Sequence, residues 1–127
     1  MSVWRQKAIE CAPELKNEFQ ANDLTPYIFF IELLPIVRQA QFDKDNDRLT
    51  KIYTYAEWCF KQNDQKLWNA VGVCFYEHLV DDDITYQQFT NWIKKDIYFE
   101  IRDLLNHRAN EIQMERLDKY YGIIKRK

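Results

Sequence analysis

Glycine is almost missing from this chain. Gly72 and Gly122 are the only two in 127 residues, against a usual frequency of ~7%. Sheet-rich and wound α/β folds place glycine in many turns, so both are disfavoured. Two isolated glycines also cannot build a G-x-G-x-x-G fingerprint or a phosphate loop. Cysteine is scarce and badly spaced for chemistry. Cys11, Cys59 and Cys74 form no C-x-x-C pair, so neither a zinc knuckle nor a thioredoxin-type motif is available. Reduced thiols on helical apolar faces are the expected state. Serine is reduced to Ser2, near a chain end. His78 and His107 are too far apart for a helical metal pair, and no E-x-x-H occurs. Long apolar runs are lacking as well. The best stretch, Tyr27 to Val37, is interrupted by Glu32 and Pro35 and is about half the ~20 residues needed to cross a bilayer. Residues 1–20 carry Arg5, Glu10, Glu14 and Glu18 and no apolar block, so a secretory signal is not expected. A reducing cytoplasm is the expected location.

What is present is helical periodicity. The fold class expected is all-α: residues 1–127 as a single helical domain, a compact bundle of five to seven mostly antiparallel helices. A first helix is predicted from Ser2 to about Ala12, with Pro13 starting a further turn through Phe19. Ala21-Asn22-Asp23 reads as a loop. Thr25-Pro26 reads as an N-cap followed by proline at the first helical position. Tyr27, Phe30, Ile31, Leu34 and Val37 form one apolar stripe, which continues past Pro35 with a kink. Asp43 to Asp47 supplies a cap and first-turn acids for a helix whose inner face is Leu49, Ile52, Tyr53, Ala56 and Cys59 or Phe60. Asn63-Asp64 marks a break. Leu67, Ala70, Val71, Cys74, Phe75 and Leu79 define a helix over 65–80. Asp81-Asp82-Asp83 is a loop, and Thr85 with Gln88 resembles a capping box. Phe89, Trp92, Ile93, Ile97, Tyr98, Ile101, Leu104 and Leu105 continue in helical register. Ile112, Leu117, Tyr120 and Ile124 follow, with Gly122 as a stop.

Three constellations suggest chemistry and fail on inspection. Asp43, Asp45 and Asp47 resemble the start of a calcium loop, but Arg48 and Thr54 stand where the turn glycine and the bidentate glutamate are required. Cys74 and His78 are four apart and share a helical face, yet no orienting acid or oxyanion hole accompanies them. His78 is expected to be half-buried and structural. The C-terminal basic residues, with Trp92, Tyr98 and Tyr120 nearby, invite a nucleic-acid reading. Acids interleave them, and a phosphate-binding stripe needs a coherent positive field. No catalytic residue, cofactor or metal ligand is therefore assigned.

Charge and aromatics carry the remaining information. The net charge of −2 conceals a division. Residues 1–93 hold 9 basic and 14 acidic side chains, net −5, and residues 94–127 hold 9 and 6, net +3. Residues 43–83 carry 9 acids and 5 bases, net −4. Helices 43–62 and 65–80, as an antiparallel hairpin, would bring Asp43, Asp45 and Asp47 to the same end as Asp81, Asp82 and Asp83. Eight tyrosines, eight phenylalanines and four tryptophans exceed what so small a core readily holds. Tyr53, Tyr55, Trp58 and Phe60 point around nearly every angle of one helix, so some should reach the surface, where Tyr and Trp dominate binding hot spots.

The segment Leu67-Trp68-Asn69-Ala70-Val71-Gly72-Val73-Cys74-Phe75-Tyr76-Glu77-His78-Leu79, with Ile52 to Phe60 before it, resembles a group of small all-helical bacterial proteins. These are similar to the immunity proteins that accompany polymorphic and contact-dependent toxins. The resemblance spans about residues 25–80. It implies a binding role without catalysis: neutralising a cognate toxin, such as a nuclease, by covering its basic cleft. On that expectation Asp43, Asp45, Asp47, Glu77, Asp81, Asp82 and Asp83 form the acidic surface and Tyr55 and Trp58 the aromatic anchors. The chain is expected to be monomeric when free and to need no membrane. A helical adaptor or regulatory subunit without a toxin partner is the alternative. A nucleic-acid-associated protein using the basic C-terminal helices is the second alternative.

Overall fold

A computed structural model of the chain describes residues 2–17 and 25–123. Seven α-helices run through them: α1 (Val3–Cys11), α2 (Pro26–Asp43), α3 (Asn46–Phe60), α4 (Gln65–Cys74), α5 (Asp83–Trp92), α6 (Lys95–Asn106) and α7 (Glu111–Tyr121). Short 3₁₀ segments occupy Pro13–Leu15 and Tyr76–Val80. No strand occurs among the described residues, and the fold is compact and all-α. No helix among them is long and apolar enough to cross a membrane. The expected end of the second segment at Phe19, the Ala21-Asn22-Asp23 loop, Ile124 and the Lys125-Arg126-Lys127 tail lie outside the described residues.

Polar side chains start the helices where the sequence placed them. Thr25 Oγ1 accepts the Ile28 N–H at 3.3 Å, with Pro26 next in the chain. Asp45 accepts the Arg48 N–H at 3.2 Å, and Asp64 accepts from Lys66 and Leu67. Each such cap fills one of the orphan donors of a first turn. Gly122 closes α7 at φ 79°, where the Ile123 N–H reaches Asp118 C=O at 2.8 Å. That left-handed position suits a residue without Cβ.

α2 packs on α3, α4 and α5, while α1 lies on α3 and α7 on α6. One continuous core joins them. Its largest fully buried side chains are aromatic: Tyr76, Tyr98, Phe29, Phe30, Phe75 and Phe89. Ring pairs knit the elements together. Phe30 of α2 stacks on Tyr55 of α3 at 5.9 Å, and Tyr53 of α3 stacks on Trp92 of α5 at 5.3 Å. Each such pair adds about 0.5–1.5 kcal/mol beyond its buried area.

Several local expectations need correction. The inner face of α2 is Phe29, Phe30, Leu33, Leu34, Val37 and Ala40, and Ile31 is 53% exposed. Two stripes one residue apart have the same helical period, so periodicity alone did not choose between them. The expected helix over 65–80 is broken at Phe75 (φ −124°, ψ −71°) and resumes as the 3₁₀ segment. Asp82, not Thr85, caps α5: it accepts the Ile84 N–H at 3.0 Å. Thr85 is buried, donating its hydroxyl to Leu79 C=O at 2.6 Å and Asp82 C=O at 3.0 Å. Register also breaks between α5 and α6, at Ile93 and Lys94. On α7 the buried face is Met114, Leu117 and Tyr121, while Ile112 and Tyr120 are exposed.

Candidate site: an acid-flanked groove with an exposed phenylalanine

The C-terminal end of α2, the turn into α3 and the N-terminal end of α5 enclose a groove of about 730 Å³, lined by Phe42, Lys44, Asn46, Asp82, Asp83 and Gln87. The chain reaches it by a tight reversal. α2 ends at Asp43, Lys44 takes the left-handed conformation (φ 57°), and its N–H reaches Ala40 and Gln41 carbonyls. Asp45 then caps α3. Arg38 of α2 approaches Asp82 at 3.5 Å and ties α2 to the α5 cap. The two acidic runs therefore do meet at one end of the molecule.

Within that end the acids differ. Asp43 accepts from Gln39 at 3.1 Å, and Asp47 is exposed in the first turn of α3. Asp83 is exposed in the first turn of α5 and accepts from Gln87 at 3.4 Å. Carboxylates at helix N-termini are favoured by the dipole, which suits Asp47 and Asp83, whereas Asp43, the last residue of α2, opposes the dipole there. Asp81 is used differently. Arg108 grips it bidentately, at 2.9 and 2.6 Å, and His78 Nδ1 lies 2.7 Å away. Burial pushes the Asp81 carboxyl up, but the Arg108 and His78 contacts outweigh it and hold the group below the ordinary aspartate value. Asp81 serves the fold and does not line the groove. Glu77 lies on the 3₁₀ segment and does not line it either.

The aromatic anchors expected from sequence are not here. Tyr55 is only 5% exposed. Its ring packs on Phe29 and Phe30, and its hydroxyl donates to Trp4 C=O at 2.9 Å. Burial pushes that hydroxyl well above the ordinary tyrosine value. It is a core residue with little exposed surface, and what surface it has lines a second groove beside Trp58. Trp58 is half-buried in a separate groove of about 510 Å³ between α1 and α3, with Lys7 over its ring at 5.1 Å. The aromatic that does stand at the acidic groove is Phe42, 73% exposed. Sequence reasoning missed it because the apolar stripe of this helix was followed only as far as Val37. The available signal was a large apolar side chain immediately beside the acidic run.

Other chemistry is weakly served. A groove of about 650 Å³ between α3, α5 and α7 includes Glu57, Lys94 and Lys95. Lys94 and Glu57 pair with each other at 2.9 Å, which cancels their charge for a ligand. Among the described residues no group of three or more His, Cys, Asp or Glu is placed to hold a metal ion. Cys11 and Cys59 are free and buried. Burial pushes both thiols up to about 12, which removes thiolate character at neutral pH. Cys74 is half-buried and also raised by burial, then by Glu77. The break at Phe75 separates Cys74 from the element carrying His78, so the shared helical face expected for them does not exist. His78 is half-buried, as expected.

The class defined by fold and site is a small all-α protein with an acid-flanked surface groove. The chain belongs to the family described as "Domain of unknown function (DUF7674)", whose model matches residues 5–109. That match covers α1 to α6, and α7 lies beyond it. No curated protein and no solved structure matches the chain.

Proposed function

We propose that this protein binds and inhibits a basic protein partner, as an immunity-type inhibitor of a bacterial toxin such as a nuclease. The observation that carries the reading is the groove itself. Asp82, Asp83 and exposed Phe42 line it, and Asp43, Asp45 and Asp47 alternate with Lys44 and Asn46, which also line it. An acidic rim speeds encounter with a basic cleft, and a desolvated aromatic slows release. Carboxylates in such a cleft stand in for the phosphates of a nucleic acid. The protein acts without catalysis, by occupying the cleft, and works in the cytoplasm.

The nucleic-acid alternative loses ground on one observation. Arg102 and Arg108, the arginines of α6 and of the turn after it, are committed to Asp118 and Asp81. A coherent positive field is weakened accordingly. The adaptor reading shares the same surface and differs only in the partner's activity. Capture of partners from the source cell, identification by mass spectrometry, and a growth assay separate the two. The reading expects a basic partner that arrests growth when expressed alone and is silent when co-expressed with this chain. A partner with no effect on growth favours the adaptor.

A further inference from the structure

We propose that the groove between α1 and α3 binds a small aromatic carboxylate, its ring on Trp58 and its carboxylate on Lys7 and Lys51. This site shares no lining residue with the acid-flanked groove and does not depend on the toxin reading. Thr50, Thr54 and Trp58 follow one another at steps of four on α3, which sets them in one row along the helix. Two short threonines leave a trough before the large indole, and Lys7, Glu10 and Cys11 of α1 form its other wall. The trough holds about 510 Å³, inside the range of about 300–1,000 Å³ usual for small-ligand sites. Cys11 adds apolar surface without charge, because burial pushes its thiol up to about 12.

The rings select one end of the ligand. Phe30 stacks on Tyr55 at 5.9 Å and 20°, and Tyr55 on Trp58 at 6.3 Å and 17°. This row of near-parallel rings starts in the core and ends at Trp58, half-buried in the groove wall. A flat ring in the groove adds one member to the row, and offset stacking favours it over a saturated ring of like size. Charge selects the other end. Lys7 holds its ammonium over the Trp58 ring at 5.1 Å, and Lys51 stands on the α3 wall. Neither lysine is ion-paired among the described residues. Glu10 is the one acid on the lining, so the two lysines leave it positive. The flexible lysine stem lets the Lys7 ammonium move from the indole face to a carboxylate while the ligand ring takes that face. A cation–π contact is thereby exchanged for a charge-assisted hydrogen bond, the stronger of the two.

The test is titration of the full chain with hydrocinnamate, followed by nitrogen–proton NMR. Of the four tryptophan indole signals, that of Trp58, assigned by its loss in Trp58→Phe, should move most. The expected Kd is about 1 mM or tighter. The alcohol and amine analogues of hydrocinnamate should bind about tenfold more weakly, for want of the charge-assisted bond. Cyclohexanepropionate should bind about threefold more weakly, for want of stacking. Lys7→Gln and Lys51→Gln should each weaken hydrocinnamate about fivefold, with unchanged thermal unfolding. A Trp58 signal that stays still up to about 20 mM hydrocinnamate, a range in which even weak binding saturates, overturns the site. Equal binding of the acid and the amine, or unchanged affinity in both lysine variants, overturns the anionic ligand. Tighter binding of cyclohexanepropionate overturns the aromatic one. Each of these failures leaves the toxin reading standing, because none touches the acid-flanked groove.

Discussion

Asp118 shows how individual residues hold this fold. It is 3% exposed and accepts from Tyr98 Oη at 2.6 Å and from Arg102 at 2.8 and 2.7 Å. Tyr98 stacks on Tyr121 at 4.2 Å, and Tyr121 donates to Ile93 C=O at 2.6 Å. One carboxylate thus fastens α7 to α6, and through Tyr121 the α5–α6 junction. Asp118→Ala leaves a cation and a hydroxyl without their acceptor, and the expected loss is about 3 kcal/mol in urea unfolding. Nothing in the sequence distinguished Asp118 from the other acids of the C-terminal helices, because its partner Arg102 lies on another helix. Asp81 predicts a pH dependence. Its folded-state pKa is depressed by Arg108 and His78 acting against burial, so its contribution is present above the ordinary aspartate value and is lost as pH falls through the lowered one. Stability should therefore fall on acidification, and Asp81→Asn should flatten that fall. An Asp81→Asn variant with an unchanged acid limb contradicts the assignment. Tyr55→Ala should destabilise by about 3–5 kcal/mol as a core truncation, whereas Phe42→Ala should leave unfolding unchanged.

At the scale of elements, the helices were legible and their interruptions were not. Thr25, Asp45 and Gly122 carry their signals locally, in one side chain or one missing Cβ, and the structure uses all three as expected, while Asp64, read only as a break, also caps a helix. The break at Phe75 has no such signal. Val71 to Leu79 remains apolar on a helical period, and the chain departs from it because Phe75 and Tyr76 are both buried and touch different neighbours. Phe75 meets Phe30 and Tyr53, while Tyr76 meets Phe60. Tertiary packing decided there. The caps give a simple check: Asp45→Ala and Asp82→Ala should each cost about 1 kcal/mol. Asp82→Ala should cost more than Gln88→Ala, which is the residue a Thr85 capping box would have needed.

At the scale of the molecule, the near-neutral net charge resolves into an acidic end and interlocked ion pairs elsewhere. The hairpin geometry that gathers the two acidic runs could be read from helix lengths and loop positions. Which aromatic stood beside them could not, because Tyr55, Trp58 and Phe42 are told apart only by how α2 and α3 rotate against the core. On the proposed reading the anchor moves from buried Tyr55 to exposed Phe42, Asp81 is engaged by Arg108 and His78, and the contact surface is probed at exposed Phe42, Asp47 and Asp83. The most direct test is an equilibrium titration of the captured partner with wild type and with the Phe42→Ala, Asp47→Lys, Asp83→Lys triple variant. These three side chains are exposed, so folding should persist. The account predicts inhibition of the partner by wild type, and at least a hundredfold weaker binding by the variant, about 2.7 kcal/mol. Equal affinity and equal inhibition by the two proteins would contradict it.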